Sequence, residues 1–506
     1  MNEKEELWKI PKSWRWCAIK DLGAVIAGGT PASKEPSYWG GSINWISPAD
    51  LTGYRSKTIS RGAKFLTEKG LKNSSAKVMP VGSVHFSSRA PIGYVAISSE
   101  PMSTNQGFKS LVPSEDVFNE YVYYYLKGSK QLAEKRASGT TFLELSGKAF
   151  GALPIPLPPL EDQKRIVAKI ETLFSELDKG IESLKTAREQ LKVYRQAVLK
   201  HAFEGKLTAQ WREENADKLE SPEQLLTRIQ QEREAHYQRQ LQDWQTAVKA
   251  WEKNGKEGKK PGKPREPSVP DALNAEHISR MWDIPRNWCW LQIGKFSFVT
   301  KLAGFEYTKF VTYDEDGDLP VIKAENAALH GFKVTAYSKV KSSSVASLTR
   351  SFLTGGELLM VFVGAGTGNV AIVPSNQKYF LGPNIGMIRV ESEAIESRYV
   401  ELFLRSPIGK DLTLAAVKAV AQPSLSMGTI RQIPIAIPDI NEQHKIVSEL
   451  EHYLSIIENS ETEISANLVA SETLRQSILK KAFSGQLVLQ DPNDEPASAL
   501  FERIRN

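Results

Sequence analysis

The side chains of this chain best suited to chemistry are cationic and polar ones, set in two stretches of short β-like runs. In the first stretch Arg55, Lys57 and Arg61 open a basic tract that continues through Lys64, Lys69, Lys72 and Lys77. Ser87, Ser88 and Arg89 then precede a Pro–Ile–Gly turn, with Gln106 further on. The second stretch carries Lys309, Lys323, Lys339, Lys341 and Thr367. Lysine and arginine neutralise phosphates, while arginine, glutamine and hydroxyl side chains also match the donor and acceptor patterns of base edges. These types suit a reader of nucleic acid, although solvated surface charge has the same composition.

Catalytic signatures fail when tested. Gly364, Gly366 and Gly368 resemble a phosphate loop, but no Lys–Ser/Thr pair follows, and Asn369 stands where a dinucleotide fingerprint needs glycine. The matching segment of the first half has Pro91 and Gly93, so a shared turn is the simpler reading. The seven histidines include no HExxH and no pair at metal-ligand spacing. No Asn-Pro-Pro-Tyr-type tetrapeptide for amino-group methylation occurs. Cys17 and Cys289 are too few for a disulfide framework or a metal cluster. The expectation is a chain that is not an enzyme by itself and binds no metal or cofactor.

The elements that must position these residues come in two copies. Residues 152–207, beginning ALPIPLPPLEDQKRIV, recur at 432–487, beginning QIPIAIPDINEQHKIV, at a constant offset of 280 residues. Such a repeat has to be explained before any local motif. Each copy opens with alternating Pro and Ile, which reads as extended edge or linker chain. Asp162 and Asn441 are candidate caps for the helix that follows. Apolar residues then fall at helical spacing: Ile166, Ile170, Leu173, Leu177, Ile181, Leu184, Leu191 and Val198 in the first copy. The second has Ile446, Leu450, Leu454, Ile457, Ile464, Leu468, Leu474 and Ile478. Stripes this narrow predict two helices of about 40 residues, roughly 60 Å long, packed on one another. Gly205 and Gly485 mark their ends, where a left-handed cap is cheapest.

The duplication reaches further upstream. Trp8, Ile10, Pro11, Trp14 and Trp16 match Trp282, Ile284, Pro285, Trp288 and Trp290. INWISPAD at 43–50 matches LPVIKAEN at 319–326 in pattern, APIGYVAI at 90–97 matches AGTGNVAI at 365–372, and Asn105 and Gly107 match Asn384 and Gly386. The frame is kept while the loops between differ, as expected of two modules that bind different versions of one kind of target. Trp39 and Trp45 read as structural, since Val321 stands opposite Trp45. The expected division is 1–153, a first domain; 154–207, a helical spacer; 208–280, an insert; 281–431, a second domain; 432–489, a second spacer; and 490–506, a tail. In the insert Ser221, Pro222 and Gln224 start a helix that runs to Asn254–Gly255, ahead of a basic Pro/Gly tether. A faint echo of its start returns at 494–504.

Composition limits the class. The formal net charge of +6 leans mildly towards an anionic partner. No apolar run reaches the roughly 18 residues of a membrane span, and the charged opening MNEKEELWKI has no leader-like core. The cytoplasm is the expected compartment, with no membrane partner.

Taken together, the opening LWKIPKSWRW, the tract GTPASKEPSYWGGSINWISPADL and the paired PIPLPPLEDQKRIV and PIAIPDINEQHKIV resemble the specificity subunit of type I restriction–modification systems. The resemblance covers essentially the whole chain. It implies an α+β fold of two duplicated mixed α/β target-recognition domains, separated by two long antiparallel coiled-coil helices in a pseudo-twofold arrangement. It further implies a non-catalytic subunit whose two domains each read half of a bipartite site in double-stranded DNA. Two methylation subunits and the restriction subunits would dock on it, bringing S-adenosylmethionine, ATP and Mg2+. Two other readings are a single-chain restriction–modification enzyme, which the missing motifs disfavour, and a coiled-coil adaptor that binds no DNA, which leaves two elaborate domains without a role.

Overall fold

The structure is a computed structural model. It describes the chain except residues 1–7, 140–142, 259, 265, 267–269, 271–272, 274–277, 279–280, 365, 417–423 and 506. The chain divides into two compact units, one of residues 1–186 with 463–506 and the other of residues 187–462.

The first unit contains β1 (Arg15–Ala18), β2 (Gly23–Ala27), β3 (Trp39–Ile46), β4 (Thr58–Ile59), β5 (Lys64–Leu66), β6 (Val84–Ser88), β7 (Ile92–Ser98), β8 (Ser103–Thr104), β9 (Phe108–Pro113) and β10 (Pro154–Leu157). They form a five-stranded sheet in the order β2-β9-β6-β7-β4, a three-stranded sheet β5-β3-β8 and the pair β1-β10. Helices Asn119–Gly128 and Lys130–Arg136 follow β9, with Ser129 between them.

The second unit contains β11 (Cys289–Gln292), β12 (Ser297–Lys301), β13 (Leu319–Ile322), β14 (Ala327–Ala328), β15 (Gly331–Phe332), β16 (Lys339–Val340), β17 (Phe352–Leu353), β18 (Leu358–Val361), β19 (Val370–Ile372), β20 (Tyr379–Leu381), β21 (Ile385–Val390) and β22 (Pro434–Ile437). Its sheets run β12-β21-β18-β19 and β16-β13-β20-β17, with the pairs β11-β22 and β14-β15. The central order β2-β9-β6-β7 of the first unit thus reappears as β12-β21-β18-β19, and the helix Ser397–Arg405 takes the place of Asn119–Gly128.

The Pro/Ile stretches are strands rather than linkers. Trp16 pairs with Pro156 in β1-β10, and Trp290 with Ala436 in β11-β22, the same register in each repeat. Proline tolerates this because only one neighbouring strand is present, so its missing N–H costs no ladder bond on the open side.

The two long helices span Leu160–Phe203 and Ile440–Phe483, each 44 residues. The expected caps are displaced. Asp439, just ahead of the second helix, accepts the Asn441 amide at 2.7 Å. Asp162 is buried and instead accepts Trp14 Nε1 at 3.2 Å, as Glu442 accepts Trp288 Nε1 at 3.0 Å. In the first unit the opening turns of the first helix, with Ile166, Ile170 and Phe174, share a core with Ile478, Leu479 and Phe483 from the closing turns of the second. In the second unit Ile446, Leu450 and Leu454 share a core with Val198, Leu199 and Phe203. Start against end in both units means that the two helices run in opposite directions. Ile457 and Ile464 are also buried, while Leu173, Leu177 and Leu184 are half-buried. Leu474 departs from its expected place: it is 50% exposed, with Arg475 turned inward over Phe174 instead.

Each terminal glycine does have a left-handed backbone, with φ +72° at Gly205 and +73° at Gly485. Each also receives a proline from the other repeat: a Cβ on Gly485 would lie 2.3 Å from the Pro11 ring, and one on Gly205 would lie 2.2 Å from that of Pro285. The opening motif of each repeat therefore seats on the helix end of the other.

The insert forms a helix at Pro222–Lys253, capped by Ser221 with Gln224 reaching back to the Ser221 amide. Leu225 and Ile229 bury its base in the second unit. Trp244 and Trp251 donate to Pro261 O and Gly258 O, tying the start of the tether to the helix.

Candidate nucleic-acid interface

In the first unit four chain segments converge beside the β6–β7 turn. Lys109 on β9 is almost buried, and its Nζ donates to Ser88 Oγ at 3.2 Å, to Gln106 O at 3.0 Å and to Glu144 Oε1 at 3.3 Å. The other carboxylate oxygen of Glu144 accepts Arg89 Nη1 at 3.4 Å. Gln106 pairs with Thr30 Oγ1. Backbone bonds lock the frame: Arg89 bridges Glu144, and Leu145 N donates to Ser88 O at 2.9 Å. The three acceptors match the three donors of the lysine ammonium.

The proposed contact residues fall into two groups. Arg55, Arg61 and Gln106 are exposed, and Arg89 is half-exposed at its turn. Ser87 and Ser88 are fully buried. Ser87 Oγ donates to Pro91 O at 2.8 Å and accepts the Tyr94 amide at 2.7 Å; Ser88 Oγ donates to Gly107 O at 3.1 Å. Both hold the turn rather than face outward. Lys57 is spent on an ion-pair clamp, with Nζ 2.6 Å from Glu171 on the first long helix and 2.8 Å from Glu120. The clamp borders a cleft of about 390 Å³ that Arg55, Tyr124, Phe174, Lys179 and Arg475 also line. Trp45 is buried and donates to Gly29 O at 2.9 Å, and Trp39 packs edge-on against it, so both are structural.

In the second unit Lys309, Lys339 and Lys341 are exposed, Lys341 lying 3.0 Å from Asp314. Lys323 is half-buried, donates to Ser338 Oγ at 2.7 Å and lies over the Tyr313 ring. Thr367 Oγ1 donates to Gly364 O at 2.7 Å within the glycine turn. Lys323, Lys339 and Lys341 lie on adjoining segments, since Lys323 bonds Ser338, Lys339 pairs with Pro320, and Lys323 and Lys341 contact the neighbouring Tyr313 and Asp314.

Strand register corrects one sequence match. Val84 pairs with Leu111, and Leu358 with Ile388; Ser88 N donates to Gly107 O, and Phe362 N to Asn384 O. Gly107 therefore takes the place of Asn384, and the similar Asn-x-Gly strings are offset by two residues. By the same register Arg89 corresponds to Val363, whose backbone bridges Ser424 as Arg89 bridges Glu144. Lys109 corresponds to Gly386, since they pair with Phe86 and Met360. Lys109 and Glu144 were legible only as charges within a strand and a loop. Comparison of the repeats gives the signal: Glu144 precedes a Leu-Ser pair, and Ser424 precedes the same pair.

Among the described residues no group of His, Cys, Asp and Glu could hold a metal ion, and no helix is long and apolar enough to cross a membrane.

Two sheet-and-helix units built on one frame, each completed by the helix end of the other repeat, define a duplicated specificity-domain protein. The family model described as "Type I restriction modification DNA specificity domain" matches residues 11–186 and 297–468, and the chain belongs to that family. It is similar to the type I restriction enzyme MjaIX specificity subunit of Methanocaldococcus jannaschii, 41% identical over 40% of this chain and 46% of that protein. It is also similar to the EcoKI specificity subunit of Escherichia coli, 22% identical over 98% of this chain and 96% of that one. The fold is shared with a chain from a structure described as showing complex assembly and conformational transition of the type I R-M system, with TM-score 0.63, 16% identity and coverage of 95% and 100%. The HsdS subunit from Thermoanaerobacter tengcongensis gives TM-score 0.55 at 17% identity, covering 95% of this chain and 99% of that one.

Proposed function

We propose that this chain is the non-catalytic DNA-reading subunit of a type I restriction–modification complex, in which each mixed α/β domain reads one half of a bipartite double-stranded site. One observation carries the reading. The two units keep the same central strand order and one backbone bridge in common, yet differ in the side chains at that bridge, Arg89 and Glu144 against Val363 and Ser424. A shared frame with exchanged contents is what two half-sites of different sequence require.

The domains are taken as 1–153 and 281–431, with helical spacers at 154–207 and 432–489, an insert at 208–280 and a tail at 490–506. The long helices act as an antiparallel, pseudo-twofold coiled coil that sets the gap between half-sites. Support comes from reciprocal contacts offset by the 280-residue repeat: Arg475 pairs with Asp178, and Arg195 with Glu458. Arg55, Arg61, Arg89, Gln106, Lys309, Lys339, Lys341 and Thr367 are the proposed DNA contacts. Lys57, Ser87, Ser88 and Lys323 hold the segments that carry them. Two methylation subunits and the restriction subunits are the proposed partners, supplying S-adenosylmethionine, ATP and Mg2+ chemistry in the cytoplasm.

Genome-wide methylation calling, with this chain and its cognate methylation subunit expressed together, tests the reading. One motif of two short blocks and a fixed gap is expected, lost when the chain is deleted. Removing one heptad from each long helix, about 10 Å at 1.5 Å per residue, should shorten the gap by about three base pairs at 3.4 Å each. A deletion that changes base identities while leaving the gap intact would sink the ruler.

A further inference from the structure

We infer that Arg89 reads a G·C base pair in the half-site of the first domain and that Glu144 is its positioning residue. The inference rests on the DNA-reading function proposed above and names the chemistry of one contact within it.

Three observations carry it. First, Arg89 stands at the β6–β7 turn, where Glu144 takes only Nη1. Among the described residues no hydrogen bond engages its Nε or Nη2, so one edge of the guanidinium remains for a ligand. Second, Glu144 is itself held by the nearly buried Lys109, whose further bonds to Ser88 Oγ and Gln106 O tie the carboxylate to β6 and to the loop that presents Gln106. An arginine restrained in this way loses less side-chain entropy on binding than a free surface one. Third, the second unit preserves the backbone bridge but carries Val363, Ser424 and Gly386 in place of Arg89, Glu144 and Lys109. A charged triad needed by the fold would be needed in both units; this one is not.

The chemistry of the arginine specifies the base. A guanidinium edge donates two parallel hydrogen bonds to guanine O6 and N7. Both oxygens of Glu144 are taken by Lys109 and Arg89, so the carboxylate aims that edge and does not itself contact a base. An A·T pair would face the guanidinium with the adenine amino group, a donor against donors.

The test uses the full chain with its cognate methylation subunit, scored by methylation at sites that carry each single-base change. Arg89→Lys keeps the charge but loses the bidentate fork. It should reduce discrimination at one G·C position of one half-site about tenfold or more, leaving the other half-site and the gap unchanged. Glu144→Gln should relax the same position to a lesser degree. If Arg89→Lys preserves discrimination at every position, or weakens all positions of both half-sites equally, the assignment is overturned. A first half-site without any G·C pair overturns it as well. If the unaltered chain yields no bipartite motif at all, the DNA-reading function fails, and this assignment with it. Should Glu144→Gln abolish methylation by misfolding, seen as a lost cooperative melt, the Arg89→Lys result decides alone.

Discussion

Arg195 Nη2 lies 3.0 Å from Glu461 Oε2, and only 4% of the Arg195 side chain is exposed although it sits on a helix rich in exposed charge. Glu458 approaches its other nitrogen at 3.6 Å. Arginine at this place crosses from one long helix to the other and buries its stem in doing so. Arg195→Ala should destabilise the second unit by about 1–3 kcal/mol, the range for charge-assisted bonds plus lost packing. Lys192→Ala, at an exposed pair with Glu189, should change stability by less than about 0.5 kcal/mol. Denaturant midpoints of the two variants check the contrast; equal effects would show that the interhelical arginine is ordinary surface charge.

Gly485→Ala combines two penalties, a left-handed backbone and a Cβ driven into the Pro11 ring. The cost should be about 2–4 kcal/mol. Pro11→Gly in the same chain should recover the steric part, so a double-mutant cycle is expected to be non-additive. Additive effects would mean that the proline does not seat on the glycine.

Both thiols should be inert. Burial pushes Cys17 and Cys289 up to about 12, and each donates weakly to a strand carbonyl, of Ile155 and Ile437. At neutral pH the reactive thiolate is then about a thousandfold scarcer than in an unperturbed cysteine. Iodoacetamide labelling followed by mass spectrometry should find both unmodified in the native protein and both modified in urea; rapid native labelling of either would contradict the burial.

His85 is fully buried on β6 against Ser110 Oγ at 2.9 Å, and desolvation lowers its pKa to about 3. Above about pH 6.5 the ring is neutral in folded and unfolded chains, so it adds no pH dependence. Below that, the unfolded chain takes up a proton that the folded chain refuses until about pH 3. Stability should therefore fall on acidification through this window, by up to about 1.4 kcal/mol per pH unit from this residue. His85→Asn should flatten the slope between pH 6.5 and 5; parallel slopes would show that the ring is not held neutral.

If Lys57 serves the clamp, salt titration separates it from Arg55. Arg55→Ala should lower the salt slope of DNA binding by about 0.9, the loss of one phosphate contact. Lys57→Ala should leave the slope unchanged while loosening the segment before β4 from Glu171 and Glu120. A slope that falls equally in both variants would return Lys57 to the DNA contacts.

Much of this protein was legible before any coordinates. The repeat at an offset of 280 residues, the helical stripes from Ile166 and Ile446, the capped start of the insert helix at Ser221 and the left-handed glycines all follow from local chemistry. Periodicity, capping and φ preference act over a few residues and are written in the sequence directly. Tertiary structure decided what depends on partners distant in the chain. It seated Pro11 on Gly485 and Pro285 on Gly205, turned Asp162 from a cap into the acceptor of Trp14, and brought Lys109 and Glu144 to Arg89. It also moved the Asn105 match by two residues, because strand register is set by cross-strand pairing and not by similarity of a short string. Side-chain type says which bonds a residue can make; only the folded chain selects among the acceptors within reach, and that selection separates the exposed Arg55 from the clamped Lys57.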